Sequence, residues 1–511
     1  MTGERRAPMR CVHTFDLDIS VPLAEEAFRT FLRETSSGRD RLLSLFAEEP
    51  SPGRFLLHAL AGGAAPGRFV HACAEVSPRS FRTFTDVCPG AHWFEREIYD
   101  LFGLAPEGHP ELNPLRFHEG WPRSFFPLRS EGAPPPEPRR GYRFLLVQGE
   151  GIHEVAVGPV HAGIIEPGHF RFSCAGETVQ NLEIRLGYQH KGIESLFPGD
   201  PGMGKILLSE SISGDTAVGH STTCTRLLEA VTGKPADRSA ERWRAAALEI
   251  ERISNHCGDL GGLSTDIGYL FGAAHFGRLR GAALNLLLKI TGNRFGRGLN
   301  RIGGVGPRVP GIAPEDLMAE LGRLRTEVES VGTTMLDAPS VIARMEGTGR
   351  LLPHTAKTLQ FVGMVARASG RDVDARRDFP SPAYVEAPPA KVLLDAGDVM
   401  ARARVRFLEM RASFDWLSGI LAGGITAGAP VAEGGVPVAG RRLVVSIEEG
   451  WRGEIVHAAV VDAGGRITRY KVVDPSFRNW PGLSFAVRKN VISDFPVCNK
   501  SFNLSYSGTD L

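Results

Sequence analysis

The helical period is clearest over residues 240–260. Ala246, Ile250, Ile253, Cys257 and Leu260 recur at spacings of four, three, four and three. That spacing puts them on one helix face and predicts a buried stripe within a bundle. Ser239 stands as its candidate N-cap, and Glu241 falls in the first turn, where a carboxylate suits the helix dipole. A second helix is predicted over 221–231, stopped by Gly233 and Pro235. Long helical patterns recur over 314–331 and 398–421. Nearer the N-terminus, residues 23–33 read as a helix. Residues 54–60 and 68–74 read as strands parted by a Gly/Pro turn. Strand character also marks 142–185 and 441–473, including the run Leu443-Val444-Val445-Ser446-Ile447.

The run from Ser130 to Gly141 holds four prolines among charged residues and has little to bury, so it reads as a linker. The predicted class is α+β. A small α/β-sandwich unit over 1–129 and the linker over 130–141 precede a unit over 142–511, mainly a helical bundle with peripheral β-sheets.

Composition narrows the functions open to such a chain. With 511 residues it exceeds a typical single domain. Its net charge of +1 gives no global field toward nucleic acid or an anionic membrane. No stretch approaches the roughly 20 apolar residues of a membrane span, and the charged N-terminus does not read as a signal peptide. The seven cysteines, at 11, 73, 88, 174, 224, 257 and 498, form no C-x-x-C pair. A disulfide framework or a self-contained zinc or iron–sulfur site is not expected. Reduced thiols in a cytosolic protein are the expectation. No Walker A or dinucleotide-binding glycine motif occurs.

Two sets of motifs carry a family resemblance. Trp93-Phe94-Glu95-Arg96-Glu97-Ile98-Tyr99-Asp100-Leu101-Phe102-Gly103, followed by Glu107-Gly108-His109-Pro110, resembles the signature of the complex I 30-kDa subunit. That unit also occurs fused to large subunits of formate hydrogenlyase-type complexes. By pattern alone the segment is an amphipathic core helix ending at Gly103; the resemblance implies a docking domain over 1–129. Beyond the linker, Gly158-Pro159-Val160-His161, Glu166-Pro167-Gly168-His169, Gly187-Tyr188-Gln189-His190-Lys191-Gly192 and Glu249-Ile250-Glu251-Arg252-Ile253-Ser254-Asn255-His256 resemble the nickel–iron hydrogenase large subunit and its complex I 49-kDa counterpart. They are most similar to the energy-converting, group 4 or hydrogenase-4 type.

A nickel–iron centre uses four thiolates from two C-x-x-C pairs, since soft sulfur suits these metals. In the stretch resembling the first pair, ahead of His220, the cysteine positions hold Ser213 and Thr216. The second pair is expected after an Asp-Pro; here Asp474-Pro475 is followed by Ser476 and Asn479. The C-terminal stretch 505–511 lacks the histidine-containing segment at which hydrogenase precursors are trimmed. A nickel–iron centre is therefore not expected, and no metal is assigned to this chain. In complex I the same cavity serves quinone. The tyrosine of that site falls on Gly214 here, and its histidine matches only His169, in a longer loop.

The resemblance also implies roles for single residues. Glu166 matches a glutamate that moves protons; the alternative is a solvent-facing loop residue. His256 matches a histidine beside the terminal iron–sulfur cluster of a partner subunit; the alternative is a packing residue. Arg452 matches an arginine over the metal site and could pair with Asp215 or Asp474, or sit on a surface hairpin. Asp215 and Asp474 could line one cavity and, with His220, handle protons, or each could cap a helix or turn; the cap is favoured for Asp215.

The implied function is an electron-transfer subunit of a complex I-like, hydrogenase-related oxidoreductase, peripheral on the cytoplasmic side of the inner membrane. Electrons would pass from partner iron–sulfur clusters to a quinone or another acceptor, coupled to ion translocation. No cofactor is expected on this chain alone. Expected partners are a small iron–sulfur subunit, a ferredoxin-like subunit, and membrane-embedded antiporter-like and complex I-like subunits. No nucleic acid is expected. Two other classes stay open: an active nickel–iron hydrogenase with unusual ligands, and a structural subunit with a vestigial cavity.

Overall fold

The computed structural model describes residues 10–19, 21–130, 136–161, 166–307, 309–425 and 439–511. The core of the predicted linker, 131–135, lies outside them, and 136–141 has no regular structure.

The first strand, β1 (Val12–Asp16), does not join the N-terminal sheet. That sheet is an antiparallel meander of β2 (Arg41–Ser51), β3 (Arg54–Gly62) and β4 (Phe69–Val76), packed with α1 (Glu25–Ser37) and α2 (His92–Phe102). Residues 41–48 of β2 are all buried. Such a run shows no alternation, so the strand is silent in a period-two reading. Helix α2 is buried over ten residues, charged ones included: Asp100 accepts from the N–H groups of Leu115 and Arg116, and Glu97 pairs with Arg116 and Lys471.

A second antiparallel sheet comprises β5 (Ile152–Val157), β6 (His169–Ala175) and β7 (Thr178–Arg185), with β7 at its edge. The helical body follows: α3 (Ala217–Thr232), α4 (Arg238–Asp266), α5 (Leu270–Thr291), α6 (Pro314–Leu336) and α7 (Val399–Ala422). Strands β8 (Arg442–Glu449), β9 (Glu454–Val461) and β10 (Ile467–Val473) complete a sheet whose order is β1-β8-β9-β10. Val12 registers with Ser446 and Asp16 with Arg442, so the N-terminal strand closes the edge of a C-terminal sheet. Helix α8 (Pro475–Ala486), a further helix over Phe495–Phe502 and α9 (Tyr506–Asp510) end the chain.

Helix α4 departs from the sequence reading in two respects. Its N-cap is Asp237, whose carboxylate accepts from Ala240 N at 2.7 Å, and Ser239 falls inside the first turn. An Asp at the cap also opposes the helix dipole, which a Ser cannot do. The helix is also buried on nearly every side, not along one stripe. Its polar residues are met by buried partners: Glu249 and Arg252 join Arg376 and Asp374, and His256 bonds Glu409, itself paired with Arg367. Periodicity reads such residues as solvent-facing; pairing lets them be buried.

Candidate functional site

The site forms where the start of α3, the β8–β9 turn and the start of α8 meet. Glu449 and Glu454 close the β8–β9 hairpin, leaving Trp451 and Arg452 at its tip. The tip presses against Gly363, whose φ is +64. A Cβ there would lie 2.0 Å from the Arg452 carbonyl oxygen, so only glycine permits this approach.

Arg452 grips Asp215 with two parallel bonds, of 2.7 and 2.8 Å, and its Nε donates to the Asn503 carbonyl at 2.5 Å. The guanidinium lies 3.8 Å from the Trp451 ring centroid. Ser213 and Thr216 each donate to Asp215 Oδ1 at 3.0 Å. Burial opposes the Asp215 charge, but Arg452 and these hydroxyls win and hold the carboxyl at about 2. Among the described residues no backbone N–H bonds the side chain of Asp215; the N-cap of α3 is Thr216, without a side-chain cap bond. Arg452 has taken the carboxylate that the cap would use.

The polar atoms of Ser213, Thr216, Ser476 and Asn479 are spent on separate partners, with Ser213 and Thr216 both donating to Asp215. Ser213 Oγ lies 3.0 Å from Ser505 Oγ. Ser476 Oγ accepts from Ser505 N at 2.9 Å. Asn479 turns away, bonding the N–H and carbonyl of Val362. Ser505, which no spacing rule singled out, bridges Ser213 and Ser476.

Asp474 has two roles. One oxygen caps α8 by accepting from Ser476 N at 2.7 Å; the other accepts from His220 Nε2 at 3.0 Å. Burial works against its charge, while His220 and then Arg452 hold its carboxyl below the ordinary range. A buried chain continues from there. With Nε2–H of His220 donating to Asp474, its Nδ1 accepts from His457 Nε2 at 3.1 Å, and His457 Nδ1 accepts from the Tyr470 hydroxyl at 2.8 Å. This tautomer set satisfies every ring nitrogen. His457 and Tyr470 sit on strands and give no local motif in the sequence.

Glu166 precedes β6 and accepts from Ser507 N at 3.2 Å. Burial raises its pKa, with Arg452 opposing. His169, at the start of β6, contacts the Gly158 carbonyl at 3.5 Å and the Phe144 ring, and none of the other site residues. Glu251, also unforeseen, accepts from Val218 and Gly219 N–H at the start of α3; burial pushes its carboxyl up to about 8.

His256 is fully buried on α4. Its Nε2 donates to Glu409 at 3.0 Å, and its ring meets Trp451 edge-on at 6.1 Å. Burial lowers its pKa, against the pull of Glu409. Its Nδ1 is buried with no partner among the described residues. Trp451 links the two halves, since its Nε1 donates to Thr216 Oγ1 and the Asp215 carbonyl at 3.1 Å.

Comparison with known proteins places this architecture. Residues 28–136 match the family described as the respiratory-chain NADH dehydrogenase 30 Kd subunit, and 266–423 match that of the 49 Kd subunit. Formate hydrogenlyase subunit 5 of Escherichia coli (strain K12) is 30% identical over 447 residues, 85% of this chain and 78% of that protein. Hydrogenase-4 component G of the same organism is 29% identical over 448 residues, covering 86% and 78%. An NADH-quinone oxidoreductase chain of Phocaeicola vulgatus is 26% identical, covering 65% and 67%. The solved structure of an archaeal respiratory membrane complex, the membrane-bound sulfane sulfur reductase, has a chain that superposes with a TM-score of 0.64 at 19% identity. It covers 71% of this chain and 99% of its own, and shows a shared fold.

The class is thus a complex I-like, hydrogenase-related oxidoreductase subunit, with 30 Kd- and 49 Kd-type units fused in one chain. Within it, the chain belongs to the family of formate hydrogenlyase subunit 5. Among the described residues no helix is long and apolar enough to cross a membrane.

Proposed function

We propose that this chain works without a nickel–iron centre and hands electrons from iron–sulfur clusters of a partner subunit to a quinone or another acceptor, coupled to ion translocation. The observation that carries this reading is the hydroxyl cluster of Ser213, Thr216 and Ser505 closed around the Asp215–Arg452 ion pair. Every donor there is oxygen or guanidinium nitrogen and is already engaged. Nickel and iron of the family centre call for thiolate, so these residues do not fit that centre. Among the described residues no three His, Cys, Asp or Glu side chains form a metal-holding group.

The remaining groups suit proton handling. Two-electron reduction of a quinone takes up two protons. Glu166 keeps its proton to higher pH than an ordinary glutamate, and the chain from Asp474 through His220 and His457 to Tyr470 offers continuous hydrogen bonds. His256, beside Trp451, is buried within this chain, so a partner's cluster would act on it through its field and not by contact. The partners in this reading are a small iron–sulfur subunit, a ferredoxin-like subunit and antiporter-like membrane subunits, with this chain peripheral on the cytoplasmic face.

Substitution in the assembled complex tests it. Glu166→Gln should leave assembly intact and lower turnover roughly a hundredfold, the usual range for a lost proton-transfer group. A purely structural role predicts unchanged turnover in every variant that assembles, including Asp215→Asn and His220→Gln, and that result would sink the reading.

A further inference from the structure

A cleft of 1020 Å³ opens away from the site, between α2, the edge strand β7 and the far end of α8. Seven arginines line it against two glutamates. Three of the arginines are neutralised: Arg96 by Glu111, Arg139 by Asp100 and Arg478 by Glu454. Arg123, Arg140, Arg143 and Arg488 have no ion pair among the described residues, and all four are exposed. Arg488 lies over the Phe485 ring, 4.7 Å from its centroid, and donates to Asn181 on β7. Of the two glutamates, Glu111 is taken by Arg96, and Glu183 accepts from Leu145 N. A local excess of positive charge therefore stands on a chain whose net charge is only +1.

The floor is apolar. Phe361 and Phe477 are buried beneath it, while Leu145 and Phe485 stay exposed at 58% and 39%. Residues 181–184 of β7 form one wall. Past the single Thr178–Val491 bridge, no strand pairs with the outer side of β7 among the described residues. Unprotected sheet edges beside apolar surface are where extended segments add as a further strand.

We propose that this cleft docks an acidic, extended segment of another subunit of the complex, carrying at least one large apolar side chain and running along β7. A small anion would be held by buried, converging donors. Here the unpaired cations are exposed and come from three separate chain segments, which suits charges strung along a polypeptide. The proposal rests on the chain being a complex subunit and is independent of the electron acceptor.

The test places the photo-cross-linking residue p-benzoylphenylalanine at Phe485 in the assembled complex and maps the product by mass spectrometry. The expected partner is one segment of another subunit with net negative charge. A synthetic peptide of that sequence should bind the full purified chain, and about tenfold more weakly when the chain carries R143E and R488E. Cross-links only to this chain, to a lipid or nucleotide, or to a segment lacking acidic residues would overturn the proposal. So would the absence of any cross-link, or equal peptide binding by the double variant.

Discussion

Replacing Asp215 with Asn would leave the buried Arg452 guanidinium without its ion-pair partner, facing only the more distant charges of Asp474 and Asp259. Arg452 is 3% exposed and Asp215 30%, so the loss should approach the lower end of the range for a broken buried pair, about 3 kcal/mol. The pH dependence has a definite sign. The folded carboxyl sits at about 2, below its unfolded value of roughly 3.9. Its contribution is complete above the unfolded value and is lost as pH falls toward the folded one. Thermal midpoints of the wild type should therefore drop between about pH 4 and pH 2 by more than those of Asp215→Asn; parallel acid limbs would contradict this. At this scale the sequence revealed residues that sit in motifs. Asp215, His220, Arg452 and Asp474 were all legible, and the structure brings them together. Ser505, His457 and Tyr470 were not, because what makes them part of the site is a fold that returns the chain across some 290 residues, from Ser213 to Ser505. Ser476 and Asn479 show the converse: adjacency to Asp-Pro drew attention to them, but Asn479 serves only the Val362 backbone.

Strand β1 gives the element scale its sharpest test. It pairs with β8 over five residues, although it precedes the first helix by only a short loop. A chain beginning at 142 would expose the full β8 edge next to a buried face. Residues 142–511 expressed alone should aggregate, and co-expression of 1–129 should restore soluble material; a stable monomeric 142–511 fragment would refute this. Within the intact chain, limited proteolysis should cut first within 131–138, whose prolines and charges have little to bury. First cleavage inside α2, buried over ten residues, would contradict that expectation. Helices α3, α4, α6 and α7 and the β8–β10 strands were visible as periodic or β-branched runs, whereas α5 was not read from the sequence. Strand β2 was hidden by its unbroken burial, and the depth of α4 by ion pairs that no period reveals.

Across the whole molecule, His256, Glu409, Arg367 and Glu449 form one buried charged network that reaches Trp451 and, through it, the Asp215–Arg452 pair. If a partner's cluster lies near enough for its field to reach the buried His256, its reduction favours the protonated ring. The cluster potential should then fall as pH rises between the oxidised- and reduced-state histidine pKa values, by at most roughly 59 mV per pH unit. His256→Met should assemble, with a lower and pH-independent potential; an unchanged slope would return His256 to a packing role. The central claim, that this member of the formate hydrogenlyase subunit 5 family acts without nickel, is tested most directly by metal analysis of the purified, chelator-washed complex. Iron from the partner clusters and no stoichiometric nickel are expected, with no hydrogen uptake. One nickel per chain retained through chelation would contradict it.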